Sequence, residues 1–315
     1  MIKEWLAALL KLVRVQNLLI IAATQFFVRL FVINPVFFSY KIEHSLSSFE
    51  FILFVAATLC IAAAGYIIND YFDIDIDRIN KPQKMVIGKY FSRREAFRLH
   101  IIFNIAGAAL GIYCAWLAGN IRLGFIFIIA AGLLWFYAKT FKKVFLLGNI
   151  IVSIVTALTI LVTAYFENWL FLNTDLLTLA ANREVMQPVF AYALFAFMTT
   201  LIREIVKDAE DMEGDRQFGS KSLPIVLGMK WTKGAIAALC LVLIAMLFVA
   251  QSHFFKEEQF VKISYILIAL QLPAVVMLFN LIPASSKEDF AKLSEWMKII
   301  MLLGVASMAV FHYIN

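Results

Sequence analysis

Long runs of apolar residues, separated by short polar segments, dominate the hydropathy pattern of the chain. Nine of these runs approach the roughly 20 residues that a helix needs to cross the hydrocarbon core of a bilayer. The pattern therefore predicts an all-α, polytopic membrane bundle of about nine transmembrane helices. The predicted spans are Asn17–Phe38, Phe49–Ile68, Phe97–Ala118, Leu123–Tyr137, Leu146–Phe166, Pro188–Ile202, Gly234–Ala250, Val261–Ile282 and Trp296–Tyr313.

The residues before the first predicted span have a different, amphipathic pattern. Lys3, Lys11 and Arg14 interrupt the apolar positions, and the small-residue cleavage site of a signal peptide is missing. We therefore expect residues 1–16 to form an interfacial helix that leads into the first span. We treat residues 1–315 as a single membrane-embedded domain.

The composition agrees with the span pattern and excludes other protein classes. Hydrophobic residues make up 63% of the chain and charged residues 16%, against about 45–50% and about 25% in an ordinary soluble domain. A soluble fold could not hide this much apolar surface, and a disordered chain would be far more polar. Outer-membrane barrels alternate apolar and polar residues instead of running apolar for the length of a helix.

The formal net charge of +6 is explained by membrane topology without a nucleic-acid partner. Seven basic residues lie from Arg78 to Arg98, after the second span, and the segments after the fourth and sixth spans are also rich in Lys and Arg. Because cytoplasmic loops carry such an excess, we expect the N-terminus and these segments on the cytoplasmic side of an inner or plasma membrane. No obligate protein partner is indicated.

Acidic residues are concentrated just after the second predicted span. If that helix continues, Asn69, Asp73 and Asp77 recur at i, i+4 and i+8 and share one face, and Asp70 lies three residues before Asp73. An EF-hand loop starting at Asp73 is excluded, since its sixth position would be Arg78 instead of glycine.

A second acidic cluster follows the sixth predicted span. Asp208, Asp211 and Asp215 are spaced i, i+3 and i+7, with Arg203 and Lys207 among them. A solvated loop would explain one such cluster, but two clusters at matching positions indicate a shared function. Stacked carboxylates at a membrane boundary need neutralisation, and hard oxygen ligands favour Mg²⁺ or Ca²⁺. Interleaved Lys and Arg suit the phosphate oxygens that Mg²⁺ also binds.

Two strings of residues carry a family resemblance. They are Asn69-Asp70-x-x-Asp73-x-x-x-Asp77, followed by Arg78-Ile79-Asn80-Lys81-Pro82, and Lys207-Asp208-x-x-Asp211-x-Glu213-Gly214-Asp215. These strings resemble the two aspartate-rich motifs of the UbiA-type intramembrane prenyltransferase superfamily. Lesser landmarks match at Arg14-x-x-Asn17 and at Tyr137-x-Lys139-x-x-Lys142, which leads to Gly148-Asn149.

The resemblance implies a helical bundle whose central cavity is capped by two cytoplasmic Asp-rich loops, residues 69–96 and 203–233. It implies Mg²⁺-dependent transfer of a prenyl group from a polyprenyl diphosphate to a lipid-soluble acceptor. The implied metal ligands are Asp70, Asp73, Asp77, Asp208, Asp211 and Asp215, of which Asp73, Asp77, Asp211 and Asp215 are also taken as catalytic. The implied diphosphate contacts are Asn69, Arg78, Lys139, Lys142, Arg203 and Lys207, and Asn17 and Tyr137 face the acceptor cavity.

The identity of the acceptor stays open at the level of the sequence. The Arg203-Glu204 pair and the Gly148-Asn149 segment favour, by resemblance, the subgroup that prenylates geranylgeranylglyceryl phosphate, an ether-lipid precursor. An aromatic acceptor in quinone biosynthesis is the alternative. The main non-enzymatic alternative is a secondary transporter, since intramembrane charge often marks an ion path. A CDP-alcohol phosphotransferase is disfavoured because the chain lacks that family's Asp-Gly-x-x-Ala-Arg string.

Overall fold

The architecture is taken from a computed structural model that describes residues 2–167, 171 and 175–314. Within those residues, nine helices are long and apolar enough to cross a membrane, which confirms the all-α membrane class and the predicted number of spans. The helices are α1 (Ile2–Leu12), α2 (Val15–Tyr40), α3 (Ser48–Asn80), α4 (Arg93–Leu117), α5 (Ile121–Lys139), α6 (Leu147–Tyr165), α7 (Leu176–Glu210), α8 (Met212–Gln217), α9 (Leu223–Val226), α10 (Gly228–Lys256), α11 (Phe260–Leu281) and α12 (Lys287–Tyr313).

The chain forms two compact units, and each has a hydrophobic core of its own. The first unit comprises Met1–Phe141 and Leu158–Val189, and the second comprises Lys142–Ala157 and Phe190–Asn315. The organisation of residues 1–315 as one domain stays a prediction.

In the core of the first unit, α3 packs against α4 and α5. Three buried rings meet there, with the centroid of Phe54 4.6 Å from that of Phe166 and 6.1 Å from that of Phe127. In the second unit, buried aliphatic residues of α7, α10, α11 and α12 form one cluster, represented by Ile202, Leu243, Met277 and Ile300. The apolar runs that predict the spans therefore also supply the core of each unit.

Two predicted helix boundaries are wrong in the same direction. The family resemblance implies a loop from residue 69, but α3 continues to Asn80, and the implied loop from residue 203 begins as the last turns of α7. Hydropathy reports where a helix enters the polar region, whereas the helix itself ends only where its backbone is interrupted. For α3 that point is Lys81, which precedes Pro82 and has an extended φ of −145°.

A helix can also start before its apolar run. The sixth span was predicted to start at Pro188, but α7 begins at Leu176 and holds Pro188 in its interior. Membrane helices tolerate such prolines because neighbouring groups satisfy the freed backbone carbonyl.

Two π-helical segments lie within the spanning helices, and each precedes a proline. Val28–Ile33 in α2 lies just before Pro35, and Ile266–Gln271 in α11 lies just before Pro273. A proline removes the hydrogen bond to the fourth residue before it and clashes with that residue's carbonyl group. The wider π turn gives this carbonyl room, so the helix continues through the proline.

The N-terminal segment is helical but shorter than expected. Helix α1 ends at Leu12, and Arg14 adopts a left-handed conformation, with φ 51° and ψ 57°, before α2 begins. Ala8 and Leu12 are buried against residues of α3 and of the segment that follows it, including Val86 and Phe91. The turn at Arg14 separates α1 from the first span.

Close helix packing in the first unit depends on a glycine in α4. A Cβ atom added at Gly111 would overlap the ring of Phe127, which is buried among Phe54 and Phe166. At Gly132 of α5, by contrast, an added Cβ would meet no atom within 4 Å among the described residues. Small residues let membrane helices approach one another in this way.

We expect Gly111→Ala to lower the free energy of unfolding in detergent by about 1–3 kcal/mol, because the Phe127 ring must move within a packed core. The control, Gly132→Ala, should be neutral or stabilising by up to about 1 kcal/mol, because alanine favours helix and meets no neighbour. The measurement is thermal or denaturant unfolding of both purified variants. Equal stability of the two variants would contradict the packing described for Gly111.

Candidate active site

The first acidic motif forms the C-terminal end of α3. Asn69, Asp73 and Asp77 recur at four-residue intervals on this unbroken helix, so they share one face, as the spacing predicts. All three side chains are half-buried, whereas Asp75 is exposed. The C-terminal end of a helix carries partial negative charge, so carboxylates there are unfavourable on their own and favour a bound cation.

A cation of the chain itself neutralises one of these carboxylates. Arg14 donates a hydrogen bond from Nη2 to Oδ1 of Asp70 at 2.7 Å, and its guanidinium lies 5.0 Å from the ring centre of Tyr66. Burial lowers the pKa of Arg14, but Asp70, Tyr66 and Tyr137 together hold it above its ordinary value. Arg14 therefore stays charged, and it brings Asp70 and Tyr137 into one cluster.

Sequence reasoning did not assign Arg14 to the site. There it is only a basic residue of the N-terminal segment and part of a family landmark, because 56 residues separate it from its partner Asp70. The left-handed turn at Arg14 is the local signal of a constrained position, since non-glycine residues rarely adopt a positive φ.

Asn69 supplies an oxygen atom that suits a metal ligand. Its Oδ1 is buried and has no hydrogen-bond partner within the described part of the chain. A buried amide oxygen without a partner is costly, so it calls for a ligand such as a cation or a bound water. Amide and carboxylate oxygens are the donors that Mg²⁺ prefers, so this end of α3 fits that ion.

A preformed metal cage is not found. Across residues 2–167, 171 and 175–314, no three His, Cys, Asp or Glu side chains surround one point as such a cage requires. Mg²⁺ differs from most structural metals in needing only one or two carboxylates when substrate phosphates and water complete its shell.

Other predicted residues of the first unit have varied surroundings. Arg78 is exposed and donates to Asp75 at 3.2 Å, and Arg93 reaches the same carboxylate at 3.5 Å. Lys139 is exposed at the end of α5, and Asn17 is half-buried near the start of α2. Such exposed ion pairs contribute little to stability, so Arg78 can exchange Asp75 for another anion at small cost.

The second acidic motif is interrupted where the sequence predicts a continuous ladder. Helix α7 ends at Glu210, Asp211 has a non-helical conformation, and α8 begins at Met212. The i, i+3, i+7 stack of Asp208, Asp211 and Asp215 on one helix is therefore wrong. The interruption places Asp215 in the first turn of α8, where negative charge is favourable.

Asp208 is held by an asparagine from α6. Nδ2 of the buried Asn149 donates to Oδ2 of Asp208 at 2.9 Å, and Oγ of Ser153 donates to the backbone carbonyl of Asn149 at 2.6 Å. Asp208 also interacts electrostatically with Asp215, which places these two predicted ligands in one neighbourhood. Sequence analysis used Asn149 only as a family landmark.

Both predicted diphosphate contacts on α7 bind one acidic residue. Nη1 of Arg203 lies 3.2 Å from Oε1 of Glu204, and Nζ of Lys207 lies 3.5 Å from the same oxygen. Sequence analysis used Glu204 only as a family landmark, although its three-residue spacing from Lys207 is typical of a helical ion pair. Glu204 therefore joins the cluster as an anion between two cations.

Lys142 lies in the second unit, close to the connection that precedes α6. The backbone carbonyl of its neighbour Lys143 accepts a hydrogen bond at 2.9 Å from the backbone N–H of Lys221, which follows the second motif. This bond ties the segment that carries Lys142 to the segment after Asp215. Within the second unit, this bond and the Asn149–Asp208 hydrogen bond thus hold the segments that carry Lys142 and Asn149 to the end of α7 and the segment that follows it.

Each motif therefore combines carboxylates, a neutral amide and Lys or Arg at the end of an apolar helix. Carboxylate and amide oxygens can hold a divalent cation, and guanidinium and ammonium groups can bind phosphate oxygens. An adjoining apolar span can hold a long hydrocarbon chain. The chemistry that fits this combination is the binding of a diphosphate that carries a lipid tail.

Comparison with known proteins agrees with this interpretation. The model of the UbiA prenyltransferase family matches residues 30–309. A digeranylgeranylglyceryl phosphate synthase from Methanosphaera stadtmanae is 30% identical over 262 residues, which cover 83% of this chain and 88% of the relative. The enzyme of the same name from Saccharolobus solfataricus is 34% identical over 248 residues, 78% of each chain.

Solved structures show the same fold. A digeranylgeranylglyceryl phosphate synthase aligns over 98% of both chains with a TM-score of 0.62 and 28% identity. A UbiA homologue from Archaeoglobus fulgidus, bound to DMAPP and Mg²⁺, aligns over 96% of this chain and 99% of its own with a TM-score of 0.57 and 16% identity. The two acidic motifs, the nine spans and these matches lead to one conclusion: the chain belongs to the UbiA prenyltransferase family.

Proposed function

We propose that this membrane prenyltransferase transfers a geranylgeranyl group from its diphosphate to geranylgeranylglyceryl phosphate and releases pyrophosphate. The observation that carries this proposal is the similarity, over about four-fifths of the chain, to relatives named digeranylgeranylglyceryl phosphate synthase. The name states a product with two geranylgeranyl groups on glyceryl phosphate, so the acceptor already carries one. An ion-transport function has no comparable support.

We further propose that Mg²⁺ takes part at both motifs. The Archaeoglobus fulgidus homologue with DMAPP and Mg²⁺ supports a diphosphate–metal pairing in this family. In this chain, Asn69, Asp70, Asp73 and Asp77 would hold the ion at the first motif, and Asp208, Asp211 and Asp215 at the second. When bound, the ion neutralises the charge that builds up on the departing diphosphate.

The chain's own residues perform the remaining tasks. Arg203, Lys207 and Lys142 bind diphosphate oxygens, and Arg14 fixes the carboxylate of Asp70. The bond between C1 of the prenyl group and the diphosphate oxygen breaks, and its electrons leave with pyrophosphate. The acceptor hydroxyl oxygen then bonds to C1 and passes its proton to the released pyrophosphate, so an ether is formed. Apolar helix surfaces hold both lipid chains and exclude water from the allylic carbon.

The basic residues near both motifs also support an orientation. Because Arg78, Lys142 and Arg203 all belong to segments with an excess of Lys and Arg, we propose that both motifs face the cytoplasm. This orientation gives the site access to water-soluble Mg²⁺ and lets pyrophosphate leave into water.

We expect Asp73→Asn to lower the turnover number by at least about a hundredfold, the usual cost of removing one electrostatic contributor. The substitution keeps the size of the side chain but removes the charge that binds the ion. Glu213→Gln is the matched control, because Glu213 is exposed within the second motif and should tolerate the same change within about twofold. Pyrophosphate release in detergent with Mg²⁺ provides the measurement, and an active Asp73→Asn enzyme would refute the assignment.

The acceptor is tested directly by competition between substrate classes. Membranes containing the protein are given labelled geranylgeranyl diphosphate with either geranylgeranylglyceryl phosphate or an aromatic acid, and products are identified by mass. We expect at least about a hundredfold preference for the glyceryl phosphate, because a site that hydrogen-bonds polar groups of its substrate rejects analogues lacking them. Preferential prenylation of the aromatic acid would move the protein to quinone biosynthesis.

A further inference from the structure

Glu204 is a half-buried anion within a cluster that is proposed to bind an anion. Its side chain is 12% exposed, and those of its partners Arg203 and Lys207 are 21% and 27% exposed. These exposures separate the cluster from solvent-exposed ion pairs, whose interaction is largely screened. The charge of Glu204 therefore acts strongly on both cations and on any anion that they bind.

The carboxylate of Glu204 contacts the same two cations that are proposed to bind the diphosphate, so it can take the place of a diphosphate oxygen between them. One oxygen, Oε1, lies 3.2 Å from Nη1 of Arg203 and 3.5 Å from Nζ of Lys207, much as a phosphate oxygen bridges two cations. The guanidinium of Arg203 has unused capacity as well. Its Nε is buried and lacks a hydrogen-bond acceptor in the parts of the chain that the structure describes.

We propose that Glu204 is a positioning residue that holds Arg203 and Lys207 in place and limits their affinity for diphosphate. The proposal rests on the function proposed above, in which these two cations bind the diphosphate. When the substrate binds, its oxygens share or replace the contacts to Oε1. When pyrophosphate leaves, Glu204 compensates the two cations again, so the product is released instead of being retained.

This role has a chemical reason. A site with two Mg²⁺-binding motifs and several Lys and Arg attracts pyrophosphate strongly, and tight binding of the product would slow turnover. A fixed carboxylate beside the cations weakens the binding of substrate and product alike. It therefore favours release without removing the groups that stabilise the leaving charge.

The test uses the full-length protein in detergent with Mg²⁺ and inorganic pyrophosphate as the probe. Glu204→Gln removes the charge but retains an oxygen that can accept from Arg203, so the packing should be preserved. We expect the dissociation constant for pyrophosphate, measured by calorimetry, to fall by about threefold to tenfold. The KM for geranylgeranyl diphosphate should fall with it, and inhibition by pyrophosphate should strengthen.

Glu210→Gln is the matched control, because it removes the same charge from the end of the same helix without altering the contacts of Glu204. Its pyrophosphate affinity should stay within about twofold of the original protein. The inference is overturned if Glu204→Gln binds pyrophosphate no more tightly than the original protein, or if Glu210→Gln tightens binding equally. If the original protein binds no pyrophosphate, the proposed function itself fails, which is a separate result.

Discussion

Negative side chains at the C-terminal end of a helix repel the partial negative charge of its last carbonyl groups, and two spanning helices of this protein end in this way. In α3 the carboxylates follow one another on an unbroken helix. In α7 the helix stops at Glu210, and Asp215 falls in the first turn of α8. At both ends, cations and amides donate hydrogen bonds to these carboxylates and compensate their negative charge, as Arg14 does for Asp70 and Asn149 for Asp208.

The two motifs thus compensate charge in different ways. Arg14 is committed to Asp70 at 2.7 Å, whereas Arg203 and Lys207 share Glu204 at longer distances. A short, unshared pair fixes a carboxylate, and longer, shared pairs leave cations available to a ligand. Oδ1 of Asn69 adds a neutral oxygen that can bind a metal, and it has no hydrogen-bond partner within the described residues. A bound metal would give the oxygen of Asn69 a partner, and a bound diphosphate would give Arg203 and Lys207 further anionic partners.

Much of the fold, and the placement of the first acidic motif on one helix face, could be predicted because both depend on local sequence periodicity. Apolar runs identify the spans, and the four-residue spacing of Asn69, Asp73 and Asp77 places them on one face. The ends of α3 and α7 could not be predicted from hydropathy, since a helix continues until its backbone is interrupted. The pairs Arg14–Asp70 and Asn149–Asp208 join residues 56 and 59 positions apart, and local periodicity contains no information on such contacts.

The proposed function requires the carboxylates at each of these two helix ends to bind diphosphate through a divalent cation. The most direct measurement is an experimental structure of the protein with Mn²⁺ in place of Mg²⁺ and an unreactive thio analogue of geranylgeranyl diphosphate. We predict anomalous scattering from Mn²⁺ beside Asp73 and beside Asp211, in contact with the diphosphate. A diphosphate bound away from both motifs, or bound without the metal, would contradict the claim.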